Sequence, residues 1–90
     1  MLVISYDIKS DKLRSRFSKM LTKHGAIRLQ YSVYEFNNTK RLIGNIIVKI
    51  ENVYEKQFSG ADSVMIFDVQ NDNIIKYGNA IHRDKEILYL

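Results

Sequence analysis

Apolar and polar positions alternate at the start of the chain. Leu2, Ile4, Tyr6 and Ile8 fall on one side of an extended segment, and Val3, Ser5 and Asp7 fall on the other. This period of two predicts a strand over residues 2–8, with one face apolar enough to meet helices and a mixed face that ends in an acid. The period then changes. Leu13, Phe17, Met20 and Leu21 recur at helical spacing, with Ser10 as an N-cap, Asp11 near the positive end of the helix dipole and Gly25 as a left-handed stop. Residues 26–36 are rich in β-formers: Ile27, Leu29 and Tyr31 alternate with Arg28, Gln30 and Ser32, and the alternation slips after Ser32. The slip predicts a bulge or tight bend joining two short strands. Asn37-Asn38-Thr39 is a capping turn, and Ile43, Ile46, Ile47, Ile50, Val53 and Tyr54 mark a second amphipathic helix running to about Gln57. Gly44 weakens that helix by about 1 kcal/mol relative to alanine. A strand follows at 63–69, a turn at Gln70–Asn73, a short strand at Ile74–Tyr77 and an apolar C-terminal strand at Glu86–Leu90.

The predicted order is that of a ferredoxin-like βαββαβ sandwich, an α+β fold, with an extra C-terminal strand. Both helices cover one sheet face. The other face, carrying Val3, Ser5 and Asp7, is expected to be solvated or covered by a second copy in a homodimer. At 90 residues the chain is expected to be one domain, with a core over about 1–69 and a C-terminal hairpin or tail over 70–90 for dimer and partner contacts.

Charge sharpens this picture. Residues 1–41 carry nine Lys/Arg against three Asp/Glu, a net of +6, while residues 42–90 carry five against seven, a net of −2. Lys12, Arg16, Lys19 and Lys23 form a second stripe on the first helix, about 115° around it from the apolar stripe. A basic half on a small domain points to a polyanionic partner. Arg14, Arg16, Lys19, Lys23 and Arg28 suit phosphate contacts, because a planar guanidinium can hold two phosphate oxygens. The chain has no cysteine and two histidines, which excludes disulfide scaffolds, thiol catalysis and cysteine zinc fingers. No apolar run approaches the ~20 residues of a membrane span. Asp7 interrupts the N-terminal segment too early for a signal peptide, so the expected location is the cytoplasm. Glu51 and Glu55 are expected on a solvated face, and His24 as a cap for its helix. Tyr31 and Tyr34 have two readings, bases stacked on their rings or burial in the core.

Four features occur in order over about the first 70 residues: a first strand ending Ser5-Tyr6-Asp7-Ile8, a basic helix, the run Gln30-Tyr31-Ser32-Val33-Tyr34-Glu35 and a strand beginning Asp62-Ser63-Val64-Met65-Ile66. Together they resemble the small CRISPR-associated adaptation proteins of the Cas-two family. The resemblance implies a homodimer that acts in spacer acquisition, lies along double-stranded DNA and bridges integrase dimers of the Cas-one family. It also implies a magnesium-dependent endonuclease acting on RNA or DNA. Asp7 stands at the family's metal and catalytic position, and Tyr6, Arg14, Arg16, Arg28 and Tyr34 stand at its other functional positions, with Tyr6 expected to join Asp7 in catalysis by orienting water or phosphate. Two departures are visible: Tyr34 stands where phenylalanine is commoner, and Phe67-Asp68-Val69 replaces the family's Tyr-Pro pair.

One Asp per chain is a poor magnesium site, because the ion wants six oxygens and usually one or two carboxylates. Two Asp7 residues facing each other across a dimer axis would be an adequate one, sharing Mg2+ between them. The bland reading of Asp7 is a strand-end carboxylate that caps the first helix or pairs with a lysine. Other readings of the same fold are a toxin-type ribonuclease of the virulence-associated protein D family, a non-enzymatic ferredoxin-like nucleic-acid-binding module and a small-molecule regulatory domain. The basic helix speaks against the last of these.

Overall fold

The computed structural model describes residues 1–70 and 73–80. Strand β1 (Leu2–Asp7) leads into helix α1 (Asp11–Lys23), and strands β2 (Ile27–Gln30) and β3 (Val33–Phe36) follow. Helix α2 (Lys40–Lys49) continues through a π turn at Ile50–Tyr54 and a 3-10 turn at Glu55–Gln57 before strand β4 (Ser63–Asp68). The sheet order is β2-β3-β1-β4, and each neighbouring pair is antiparallel. This is the ferredoxin-like arrangement expected from the hydrophobic pattern. Among the described residues no helix is long and apolar enough to cross a membrane.

The capping residues act as their chemistry dictates. Ser10 Oγ accepts from the Leu13 amide at 3.2 Å and Thr39 Oγ1 accepts from the Leu42 amide at 3.3 Å, satisfying amides that a helix start leaves unpaired. Gly25 adopts φ +94°, which lets the Ala26 amide turn back to Leu21 O at 3.0 Å.

The alternation along β1 sorts the two faces. Leu2, Ile4, Tyr6 and the following Ile8 are buried, Val3 and Ser5 are half-buried, and Asp7 is exposed. The buried set packs with Leu13, Phe17, Met20 and Leu21 of α1, with Tyr34 and Phe36 of β3, and with Ile46, Ile50 and Tyr54. Phe17 is central, its ring 4.9 Å from Tyr6 and 5.3 Å from Tyr54, edge-on to both. Full burial of a side chain such as Phe17 or Ile4 contributes roughly 1.5–3 kcal/mol. The π turn inserts a step that keeps Ile50 and Tyr54 on the core while Val53 is exposed.

The structure assigns the faces of β2, and one expectation changes. The apolar side of β2 does not face the helices: Arg28 pairs in register with the core residue Tyr34, and Ile27 pairs with Glu35 on the opposite face. A register shift between Arg28 and Gln30 spans Leu29, which is buried outside the main core. Ile74–Tyr77 form no strand. Instead they cross the open sheet face, enclosing a cavity of about 370 Å³ against Val3, Leu29, Gln30 and Val33. Lys76 is ion-paired there with Glu35. The strand expected at Glu86–Leu90 lies outside the described residues.

Candidate nucleic-acid interface

The expected site residues separate into three groups. The first is Asp7, at the open-face end of β1 opposite Ser63. Its carboxylate oxygens lie 3.1 and 3.3 Å from Lys9 Nζ, and both side chains are more than half exposed. Among the described residues no three His, Cys, Asp or Glu side chains gather as a metal cage. The donors that the described residues of a single chain place around Asp7 therefore do not fit magnesium on their own.

The second group surrounds a polar crevice of about 220 Å³ between α1 and the β2–β3 turn, bordered by Tyr6, Arg14, Ser18, Arg28 and Tyr31. Beneath it, the Tyr34 hydroxyl is 2.6 Å from Ser18 Oγ and accepts from Arg28 Nε at 3.1 Å. The Arg28 guanidinium lies 5.8 Å from the Tyr31 ring centre and 5.5 Å from that of Tyr34. Burial pushes both phenols up. At Tyr34 the Ser18 hydroxyl and the Arg28 guanidinium outweigh burial and bring the group below its ordinary value. Tyr6 is left raised by burial and by Tyr34 nearby. The hydrogen bond to Tyr34 raises Arg28 in turn. Tyr34 is 2% exposed and Tyr6 5%, so neither ring is a stacking platform for a base, whereas Tyr31 is exposed.

Arg14 belongs to the crevice, but its guanidinium serves the backbone. Nη1 donates to Ile8 O at 2.9 Å, and Nη2 pairs with Asp11. The bond to Asp11 raises Arg14 above its ordinary value. It staples the β1–α1 loop.

The third group is cationic. Lys12, Arg16, Lys19 and Lys23 are all exposed on α1, and the last three border a groove of about 380 Å³ between α1 and α2. Buried Met20 and Tyr54 line its floor. Arg16 Nη2 donates to Gln57 Oε1 at 3.1 Å, which braces it across the two helices. His24 Nδ1 donates to Met20 O at 2.8 Å and closes the helix as expected. Lys49 of α2 forms the far wall. The sequence pattern does not single it out, because only the crossing of α1 and α2 brings it beside Lys19 and Lys23. Three α1 cations and Lys49 around one groove offer sequence-independent phosphate contacts.

Comparison with known proteins agrees with this architecture. The family described as CRISPR associated protein Cas2 matches residues 1–76. A CRISPR-associated endoribonuclease Cas2 of Methanospirillum hungatei is 50% identical over 34 residues, a stretch that spans 38% of this chain and 37% of that protein. The crystal structure of a hypothetical protein, TT1823, from Thermus thermophilus superposes with a TM-score of 0.62 at 26% identity, covering 77% of this chain and 79% of that one. With the four-strand sheet, the two helices and a match over most of its length, the chain belongs to the CRISPR-associated Cas2 family.

Proposed function

We propose that this protein is the duplex-holding subunit of CRISPR spacer acquisition. Two copies join through their open sheet faces, lay their α1–α2 grooves along double-stranded DNA and bridge integrase subunits of the Cas-one family. The observation that carries the reading is the groove itself, with Arg16, Lys19 and Lys23 on one wall and Lys49 on the other. Cations so arranged position a sugar–phosphate backbone without reading its bases. The open face supports the second copy: Met65 and Phe67 of β4 are 57% and 46% exposed there, and Ile75 and Tyr77 are exposed beside it. Covering apolar groups of this size is what an isologous interface does.

The test is spacer acquisition in cells that supply the integrase and a repeat array. Charge reversal of Lys12, Arg16, Lys19 and Lys23 to Glu should stop the gain of new repeats while the protein remains folded and dimeric. Acquisition at the unaltered rate would refute the reading.

A second reading, endonuclease cleavage of RNA or DNA, is favoured by the exposure of Asp7 at its strand end and by the endoribonuclease named in the Methanospirillum hungatei relative. Two Asp7 carboxylates, one from each copy, would meet the donor count that magnesium takes from protein. An ion held there would lower the pKa of a bound water and polarise a phosphodiester. In that reading Asp7 is the residue that holds the ion, and Tyr6 contributes as a wall of the neighbouring crevice. Asp7→Ala separates the two readings: cleavage would be lost and duplex holding kept.

A further inference from the structure

The segment that follows Asp7 is held from one side by a residue distant in sequence and from the other by the helix that follows it. Asp62, in the loop before β4, accepts the Lys9 amide on Oδ1 at 2.8 Å and the Ser59 amide on Oδ2 at 2.8 Å. From the other side, Arg14 Nη1 donates to Ile8 O at 2.9 Å. Both bonds grip the one peptide group between Ile8 and Lys9, its N–H from the Asp62 side and its C=O from the Arg14 side. The β1–β3 register ends at Ser5 and the β1–β4 register ends at Asp7, so past Asp7 the chain is held by the buried Ile8 side chain, by helix capping at Ser10 and by this clamp.

From this geometry we infer that Asp62 is a positioning residue for Asp7. By fixing the backbone immediately after Asp7, the Asp62 carboxylate sets where the Asp7 carboxylate stands at the sheet edge. The inference deepens the endonuclease reading and rests on it for its catalytic consequence; the clamp itself does not depend on that reading. The carboxylate is suited to the task, because a charged acceptor bridging two backbone amides is stronger than a neutral one. Both bonds hold Asp62 below the usual carboxylate range.

The test compares full-length wild type with Asp62→Ala, and with Asp62→Asn, which keeps one carbonyl acceptor and covers the case in which the alanine variant fails to fold. In wild type the 15N order parameters of Asp7 and Lys9 should be those of rigid backbone, about 0.85, and in Asp62→Ala they should fall toward 0.6 or lower. Leu2–Ser5 and α1 should remain rigid. Magnesium-dependent cleavage should lose on the order of 10- to 100-fold in kcat, with KM and duplex affinity unchanged and with Asp62→Asn intermediate. Unchanged order at Asp7 in a folded variant would overturn the inference. So would loosened Asp7 with unaltered kcat. If wild type cleaves no better than Asp7→Ala, the endonuclease reading fails, and the order parameters still decide whether Asp62 holds Asp7.

Discussion

Tyr6 and Asp7 are neighbours in the chain and face opposite sides of the sheet. Tyr6 is buried against Phe17, and Asp7 is exposed beside Lys9. Within one chain the two side chains cannot act on the same atom. Their substitutions should therefore differ in kind. Asp7→Ala removes an exposed side chain and should change stability by no more than about 0.5 kcal/mol. Tyr6→Ala opens a core cavity and should cost about 3–5 kcal/mol, as for other buried aromatics. Urea unfolding of the two variants measures both.

The Tyr34 hydroxyl ties β3 to α1 through Ser18 and to β2 through Arg28. Tyr34→Phe keeps the ring and removes both hydrogen bonds from partners that water still reaches, at an expected cost of about 0.5–1.5 kcal/mol. Thermal or urea melts would register it. Duplex affinity should not move, because the buried hydroxyl lies outside the α1–α2 groove.

Asp62 gives the clamp a defined pH dependence. Its folded-state value is depressed by the Lys9 and Ser59 amides. Its contribution is therefore fully present above the unfolded value, about 3.9, and is lost as pH falls through the lower folded value. The Lys9 and Ser59 amide resonances should hold their positions down to about pH 4 and shift together below it. In Asp62→Asn this acid transition should be absent. A transition near neutral pH would contradict the assignment.

Lys49 should behave as a phosphate ligand. Lys49→Glu is expected to weaken duplex binding equally for unrelated sequences and to lower the salt slope by about 1.8, the share of one neutralised phosphate in each copy. Lys40, at the opposite end of α2 and about 14 Å away along the helix axis, provides the control, and Lys40→Glu should leave the slope in place.

Much of the fold is written in local pattern. Leu2, Ile4 and Tyr6 announce a strand, Ser10 and Thr39 announce helix starts, and Gly25 announces a stop, because each signal depends on near neighbours alone. The face of β2 is not legible in this way. A four-residue strand with a register shift shows that two faces exist without saying which meets the helices, and it is Arg28, itself exposed, that lies on the helix side and reaches the Tyr34 hydroxyl. Arg14 presents the same difficulty in the site. Its charge marks it for phosphate, but the carbonyl at Ile8 claims it first. Lys49 carries no local signal, and Asp62 stands in the sequence only as the first residue of a strand motif, with nothing to mark its side chain. One matters through the packing of two helices, the other through a hydrogen bond to an amide 53 residues away in sequence.

The most direct test of the proposed function is the salt dependence of duplex binding by fluorescence anisotropy. With the four groove cations of each copy engaged, eight in the dimer, log K should fall linearly with log salt at a slope of about −7.2. Reversal of Lys12, Arg16, Lys19 and Lys23 to Glu should abolish the binding in a protein that still melts cooperatively. A wild type that ignores duplex DNA in dilute buffer, or a reversed variant that binds as tightly with the same slope, would contradict the account.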